Sequence, residues 1–222
     1  MMIKHVSKLS TTLALTSTLG LAWFTSPAWA DSQLDDNLNK LQHAWVIANY
    51  QTPDNAKEAA FKQLTEEAHQ LVVNSQNAPE AQVWEAITLS GYAKAKGGLG
   101  ALKLVEKSRD LLLGVEKTQP EIMQGSVYTS LGTLYYRVPG WPIGFGDKKK
   151  AKSYLEKALQ INPAGVDANY FYADYLSESG EYKKAIEYYR KALDAPARPG
   201  RADADAERKK EAQQGLAIAQ AH

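Results

Sequence analysis

The side chains in this sequence that could do chemistry are scattered. Past the N-terminal region the histidines are His43, His69 and His222, each in a separate segment. There is no H-E-x-x-H helix, no G-x-S-x-G elbow and no cysteine anywhere in the chain. Glu66 and Glu67 precede His69, which on a helix reads as a solvated surface. With no acid–base pair, nucleophile or metal-ligating spacing to build on, the sequence predicts a protein that is not an enzyme and that carries no cofactor and no metal. KGGLGALK (Lys96–Lys103) has the glycines of a phosphate-cradling loop, but no G-K-[ST] follows in register and no strand precedes it. It reads as a turn joining two helices.

Two places suit binding. In RVPGWPIGFGDKKKA (Arg137–Ala151), Pro139 and Pro142 fix the backbone, while Gly140, Gly144 and Gly146 permit turns that other residues resist. The loop from Val138 to Asp147 is therefore shaped. Trp141, Ile143 and Phe145 either tuck against neighbouring helices as a plug or form a binding surface on a rigid scaffold. Asp147 is placed to cap a helix beginning at Lys148. Lys148, Lys149 and Lys150 then crowd its first turn, where the helix dipole is already positive. They are a solvated charge run on the simpler reading, and an anion site with the free backbone N–H groups on the functional one. The second place is NYFYADYLSESGEY (Asn169–Tyr182), in a region holding ten of the twelve tyrosines. Tyr172 occupies a packing position. Tyr170 and Asp174 occupy positions that face a groove, and with Asn169 and Arg137 they are candidate contacts to a partner or ligand.

These residues need elements to hold them, and the elements repeat. AKSYLEKALQINP (Ala151–Pro163) and AIEYYRKALDAPA (Ala185–Ala197) align at an offset of 34: Ala151 with Ala185, Leu155 with Tyr189, Ala158 with Ala192. That period, with small residues seven apart, is tetratricopeptide (TPR) spacing. The preceding helices agree, Leu131-Gly132 and Tyr135 matching Tyr172-Ala173 and Leu176. Small side chains let paired helices approach, and large ones fill the space beside them. Ser90, Ser108 and Leu112 carry a weaker version of the pattern. Pro79, Pro120 and Pro163 punctuate the chain, giving four helix pairs at about 33–74, 80–116, 121–161 and 166–194. The predicted fold is an all-α TPR-like solenoid with a concave groove. Residues 31–79 form a degenerate first pair, 80–197 the repeats with a loop insertion at 137–147, and 198–222 a linker and a capping helix over Ala202–Ala221.

The first thirty residues differ from the rest. Lys4 and Lys8 precede an uncharged stretch from Leu9, and Ala28-Trp29-Ala30 is a small-x-small cleavage pattern before Asp31. This is the anatomy of a cleaved secretory signal peptide and predicts a periplasmic protein. Removing residues 1–30 takes away two lysines and no acid, so the net charge falls from +1 to −1. Near-neutrality argues against nucleic-acid binding. Without cysteine there are no disulfides and no acylation site, so no stable membrane anchor is expected after cleavage.

YTSLGTLYYRVPGWPIGFGDKKKAKSYLEKALQINPAGVDANYFYADYL, together with AKAKGGLGALKLVEKSRDLL, resembles the TPR-containing T-component proteins associated with TRAP (tripartite ATP-independent periplasmic) transporters. The likeness covers roughly residues 80–195, and R-x-P-G-W-P-x-G-F-G-D is its most specific block. The resemblance implies a periplasmic adaptor whose groove and Val138–Asp147 loop contact a protein partner, the substrate-binding component of a transporter. It also implies a cleft for small hydrophobic or carboxylate ligands, which makes a small-molecule carrier the alternative function. The lipobox cysteine of the family is missing here. Trimer formation is not carried over without the interface residues, and homo-oligomerisation stays open.

Overall fold

The computed structural model describes residues 28–222, with side chains from residue 32. The expected signal peptide lies outside the described residues, apart from Ala28-Trp29-Ala30, whose backbone opens the first helix. Among the described residues there are nine α-helices and no strand, only an isolated bridge between Gly140 and Gly146. No described helix is long and apolar enough to cross a membrane.

The helix boundaries follow local chemistry. Helix α1 (Ala28–Val46) widens into a π-helical turn at Ile47–Gln51 and stops where Thr52 becomes extended before Pro53. Helix α2 covers Asp54–Asn74. Helix α3 (Pro79–Lys96) has proline at its first position, where the missing N–H removes no bond. Helix α4 (Gly98–Glu116) follows after one joint residue, Gly97, at φ 64° and ψ −177°. Only glycine adopts that region readily, so KGGLG is the helix-joining turn. Helix α5 (Ile122–Arg137) contains a left-handed kink at Met123, Gln124 and Gly125. Helices α6 (Lys148–Ile161), α7 (Val166–Glu178), α8 (Tyr182–Asp194) and α9 (Ala202–Gln220) complete the chain.

Helices α3 and α4, α5 and α6, and α7 and α8 pair as the repeat spacing requires, whereas α2 packs mainly on α3 and only lightly on α1. Ala151, Ala158, Ala173, Ala185 and Ala192 are fully buried between them. At Gly132 a Cβ would stand 2.6 Å from Leu155 Cγ and 3.2 Å from the Ala151 carbonyl, so α5 and α6 meet at a distance only a hydrogen allows. In the second pair the small positions are serines. Ser90 and Ser108 sit 3.0 Å apart, and Ser108 also donates to the Ala86 carbonyl at 2.7 Å. Leu112, Leu155 and Tyr189 fill the spaces beside the small residues.

The result is an all-α TPR-like solenoid of four helix pairs with a C-terminal capping helix. Its main core runs from α3 to α9. A smaller core around Phe61, Leu64 and Trp84 joins the first two helices to α3, and Ile87 and Met123 touch both cores. The capping helix does more than cover an open end. It packs on α8, crosses to α7, and also reaches α1, so the last helix meets the first.

Candidate functional site

Helix α9 bounds one side of an open cleft of about 910 Å³, within the size range of small-molecule sites. The first helix of every pair contributes to its wall, with α9 opposite. On α5 the lining residues Ser126, Thr129, Ser130 and Thr133 recur at helical spacing and form one face. Ser126 and Thr133 donate to carbonyls of their own helix at 2.8 Å, so this wall is polar but mostly self-satisfied. Aromatic rings, among them Trp45, Tyr50, Trp84, Tyr170 and Phe171, share the lining with aliphatic side chains such as Leu102, Val105 and Met123.

An arginine cluster ties α9 to this wall. Asp167, in the first turn of α7, accepts from Arg198 Nη1 at 2.7 Å and from Arg208 Nε at 2.8 Å. Burial alone would raise the Asp167 pKa. Arg208 and Arg198 outweigh that effect and hold it well below the usual carboxylate range. Arg198 also donates to Asp205 at 2.7 Å, and Arg208 pairs with Glu211. The Arg208 guanidinium lies 4.6 Å from the Tyr170 ring centroid and 4.5 Å from that of Phe171. Two contacts extend to the first helix pair: Tyr50 donates to Glu211 at 3.1 Å, and His43 pairs with Asp203 at 2.6 Å. Burial and the nearby Glu211 push the Tyr50 hydroxyl above its ordinary pKa, against the pull of Arg208.

The residues singled out from the sequence divide among three places. Arg137 and Tyr170 line the cavity. Burial first, then the neighbouring carboxylates Glu211 and Asp174, lift the Tyr170 hydroxyl to about 12. Asp174 stands behind the wall and accepts from both Tyr136 and Arg137, while Arg137 also faces Glu178 at 3.5 Å. Asn169 is fully buried outside the cavity lining. Its amide donates to the Pro163 and Gly165 carbonyls at 2.9 Å each, so it organises the α6–α7 turn.

The third place is the loop. Phe145 is packed beneath Arg109, 4.4 Å from the ring centroid, and edge-on to Tyr135. Trp141 is 90% exposed and Ile143 62% exposed. The loop is thus plug and surface at once, one aromatic anchored and the other presented. Gly146 approaches so closely that a Cβ would lie 1.9 Å from the Val138 carbonyl. Asp147 caps α6 by accepting from the Lys149 and Lys150 backbone N–H groups, at 2.9 and 3.1 Å. Those donors are therefore already engaged beside the exposed Lys148, Lys149 and Lys150.

Reading the sequence by repeats overlooked Trp45, Trp84, Arg198, Arg201 and Arg208. The arginines of PARPGR and α9 were the available signal, but a reading of that segment as breaker plus end cap gives them no site to face.

Residues 143–204 match the family model described as a tetratricopeptide repeat, which spans α6 to α8 and the start of α9. Tetratricopeptide repeats mediate protein–protein interaction, and the match indicates no catalytic family. A comparison with curated proteins returned no match.

Proposed function

We propose that the chain is an exported adaptor that docks a protein partner through the exposed face of its 138–147 loop, and that the partner is the substrate-binding component of a TRAP-type transporter. Export rests on the signal-peptide pattern of residues 1–30, and the partner rests on the likeness of the loop block to the T-component proteins. The observation that carries the reading is Trp141, 90% exposed on a loop whose other end is pinned. Asp147 N–H donates to the Tyr135 carbonyl at 2.8 Å, and Gly146 N–H to the Pro139 carbonyl at 2.9 Å. Leu99, 84% exposed, and Ile143 extend the apolar surface along the cavity rim. An exposed tryptophan held in place is the kind of residue that dominates an interface. Because α9 crosses the concave side, the groove has no free run for a partner segment, and the loop takes that role.

Titration calorimetry with the purified substrate-binding component tests the reading. Wild type should bind, and Trp141→Ala combined with Ile143→Ala should weaken binding at least about tenfold, the loss typical of truncating an aromatic anchor. Absence of binding by wild type, or equal binding by the variant, ends it.

A further inference from the structure

Past residue 2 the chain contains a single sulfur atom. It has no cysteine, and Met123 is the one methionine besides Met1 and Met2, which lie outside the described residues. Neither loop docking nor the α9 ion pairs use it. Three facts set its position apart. It is partly buried yet lines the open cleft, so small solutes approach it from that side. Its side chain packs against both the main core and the smaller core that carries α1 and α2, a role it shares with Ile87. Its backbone is left-handed, at φ 51° and ψ 42°, and Gln124 follows at φ 56°.

Two consecutive residues bearing a Cβ are unfavourable in that region and are held there by what surrounds them. Toward α6 the kink is fixed closely. Asn162 Nδ2 donates to Gln124 Oε1 at 3.0 Å, and a Cβ at Gly125 would stand 3.3 Å from Ile161 Cβ. Ser126 Oγ donates to the Met123 carbonyl at 2.8 Å. Toward the two cores the anchor is the Met123 side chain itself.

A thioether reached by solutes has one characteristic reaction. Its lone pair attacks a peroxide oxygen, the S–O bond forms as the O–O bond breaks, and the departing hydroxide takes the proton and leaves as water. Sulfur is oxidised by two electrons and the peroxide is reduced. The sulfoxide is polar and accepts hydrogen bonds, so it no longer suits an apolar seam.

We propose that Met123 is an oxidation site at the joint between the two cores, where peroxide converts the thioether to the sulfoxide and loosens α1 and α2 from the rest of the array. The cleft admits the oxidant, and the seam turns one added oxygen into a change of packing. The site is separate from the loop surface, so the adaptor reading can fail without it.

The test exposes the full chain to millimolar hydrogen peroxide. Mass spectrometry of the tryptic peptide 118–137 should show one added oxygen on Met123. It should be gained within about tenfold of the rate in the urea-unfolded chain, because a residue on an open cleft reacts without global unfolding. Amide exchange in α1 and α2 should then quicken at least about fivefold, with α7 and α8 unchanged. Met123→Leu, similar in volume and without sulfur, should show neither response. A chain with norleucine in place of methionine serves as the same control if the leucine variant melts early. Methionine sulfoxide reductases with dithiothreitol should restore both the mass and the slow exchange. A sulfur protected until the chain unfolds overturns the proposal. So does an oxidised chain whose α1 and α2 exchange as before, equal quickening in Met123→Leu, or fast exchange that persists after the thioether has been restored.

Discussion

Asp167 shows how much of this molecule turns on single side chains. Among the described residues it is the one carboxylate that both Arg198 and Arg208 reach, and through it α9 is fastened to α7. Its pKa is depressed in the folded chain. The stabilisation it supplies is therefore fully present above its unfolded value, near 3.8, and is lost as pH falls through the lower folded value. Asp167→Asn should cost about 1–3 kcal/mol at neutral pH, the range for hydrogen bonds to charged groups. The upper figure is not expected, because Arg198 keeps Asp205 and Arg208 keeps Glu211. Urea unfolding of both proteins checks this across pH. The gap should hold down to about pH 5 and close below 3.8. A gap that widened on acidification would refute the assignment. At this scale the sequence was only partly legible. Repeat positions turn Tyr170 and Asp174 to the groove in the sequence; Tyr170 lines the cavity, while Asp174 stands behind its wall, held by Tyr136 and Arg137. The Arg198–Asp167 and Arg208–Asp167 pairs span 31 and 41 residues and depend on the path of α9, which no local pattern encodes. Asn169 had the right chemistry for a ligand contact but spends it on the turn beside it.

The helices themselves were the most legible part, because their spacing is a packing rule written in side-chain size. Ala151, Ala158, Ala185 and Ala192 recur where two helices must touch, and all are buried. The features that escaped were the π-helical turn at Ile47–Gln51 and the left-handed kink at Met123–Gly125, which interrupt the period instead of following it. The packing rule makes a signed prediction at two helical glycines. At Gly132 an added methyl meets Leu155 and the Ala151 backbone, so Gly132→Ala should destabilise by about 1–3 kcal/mol despite alanine's better helix propensity. At Gly114, exposed in α4, a Cβ would meet nothing within 4 Å. Gly114→Ala should therefore stabilise by up to about 1 kcal/mol. Thermal melts of the two variants should move in opposite directions. Shifts of the same sign would mean that close approach does not govern the α5–α6 contact.

For the whole molecule, the decisive feature is that a repeat array has been joined end to end. In an open solenoid each repeat touches only its neighbours, and the terminal pair is free to open alone. Here α1 and α2 rest on a small core around Phe61, Leu64 and Trp84 of α3, distinct from the main core and linked to it through Ile87 and Met123. These two helices are therefore the natural place for separate opening. Two contacts from α9 oppose that opening, Tyr50 with Glu211 and His43 with Asp203. The second is too exposed to contribute much. The first is partly buried and should supply about 1 kcal/mol, a factor of roughly five in the opening equilibrium. Combining Tyr50→Phe with His43→Ala removes both while leaving the Tyr50 ring edge-on to Trp45 and the Arg208–Glu211 pair in place. Amides of α1 and α2 should then exchange about five times faster, with those of α5 to α8 unchanged. Equal slowing or quickening across all helices would show that opening is global and that α9 does not clasp the ends. Protection confined to the first pair, and lost there alone, would show that the last helix sets how readily the cavity between the ends comes open.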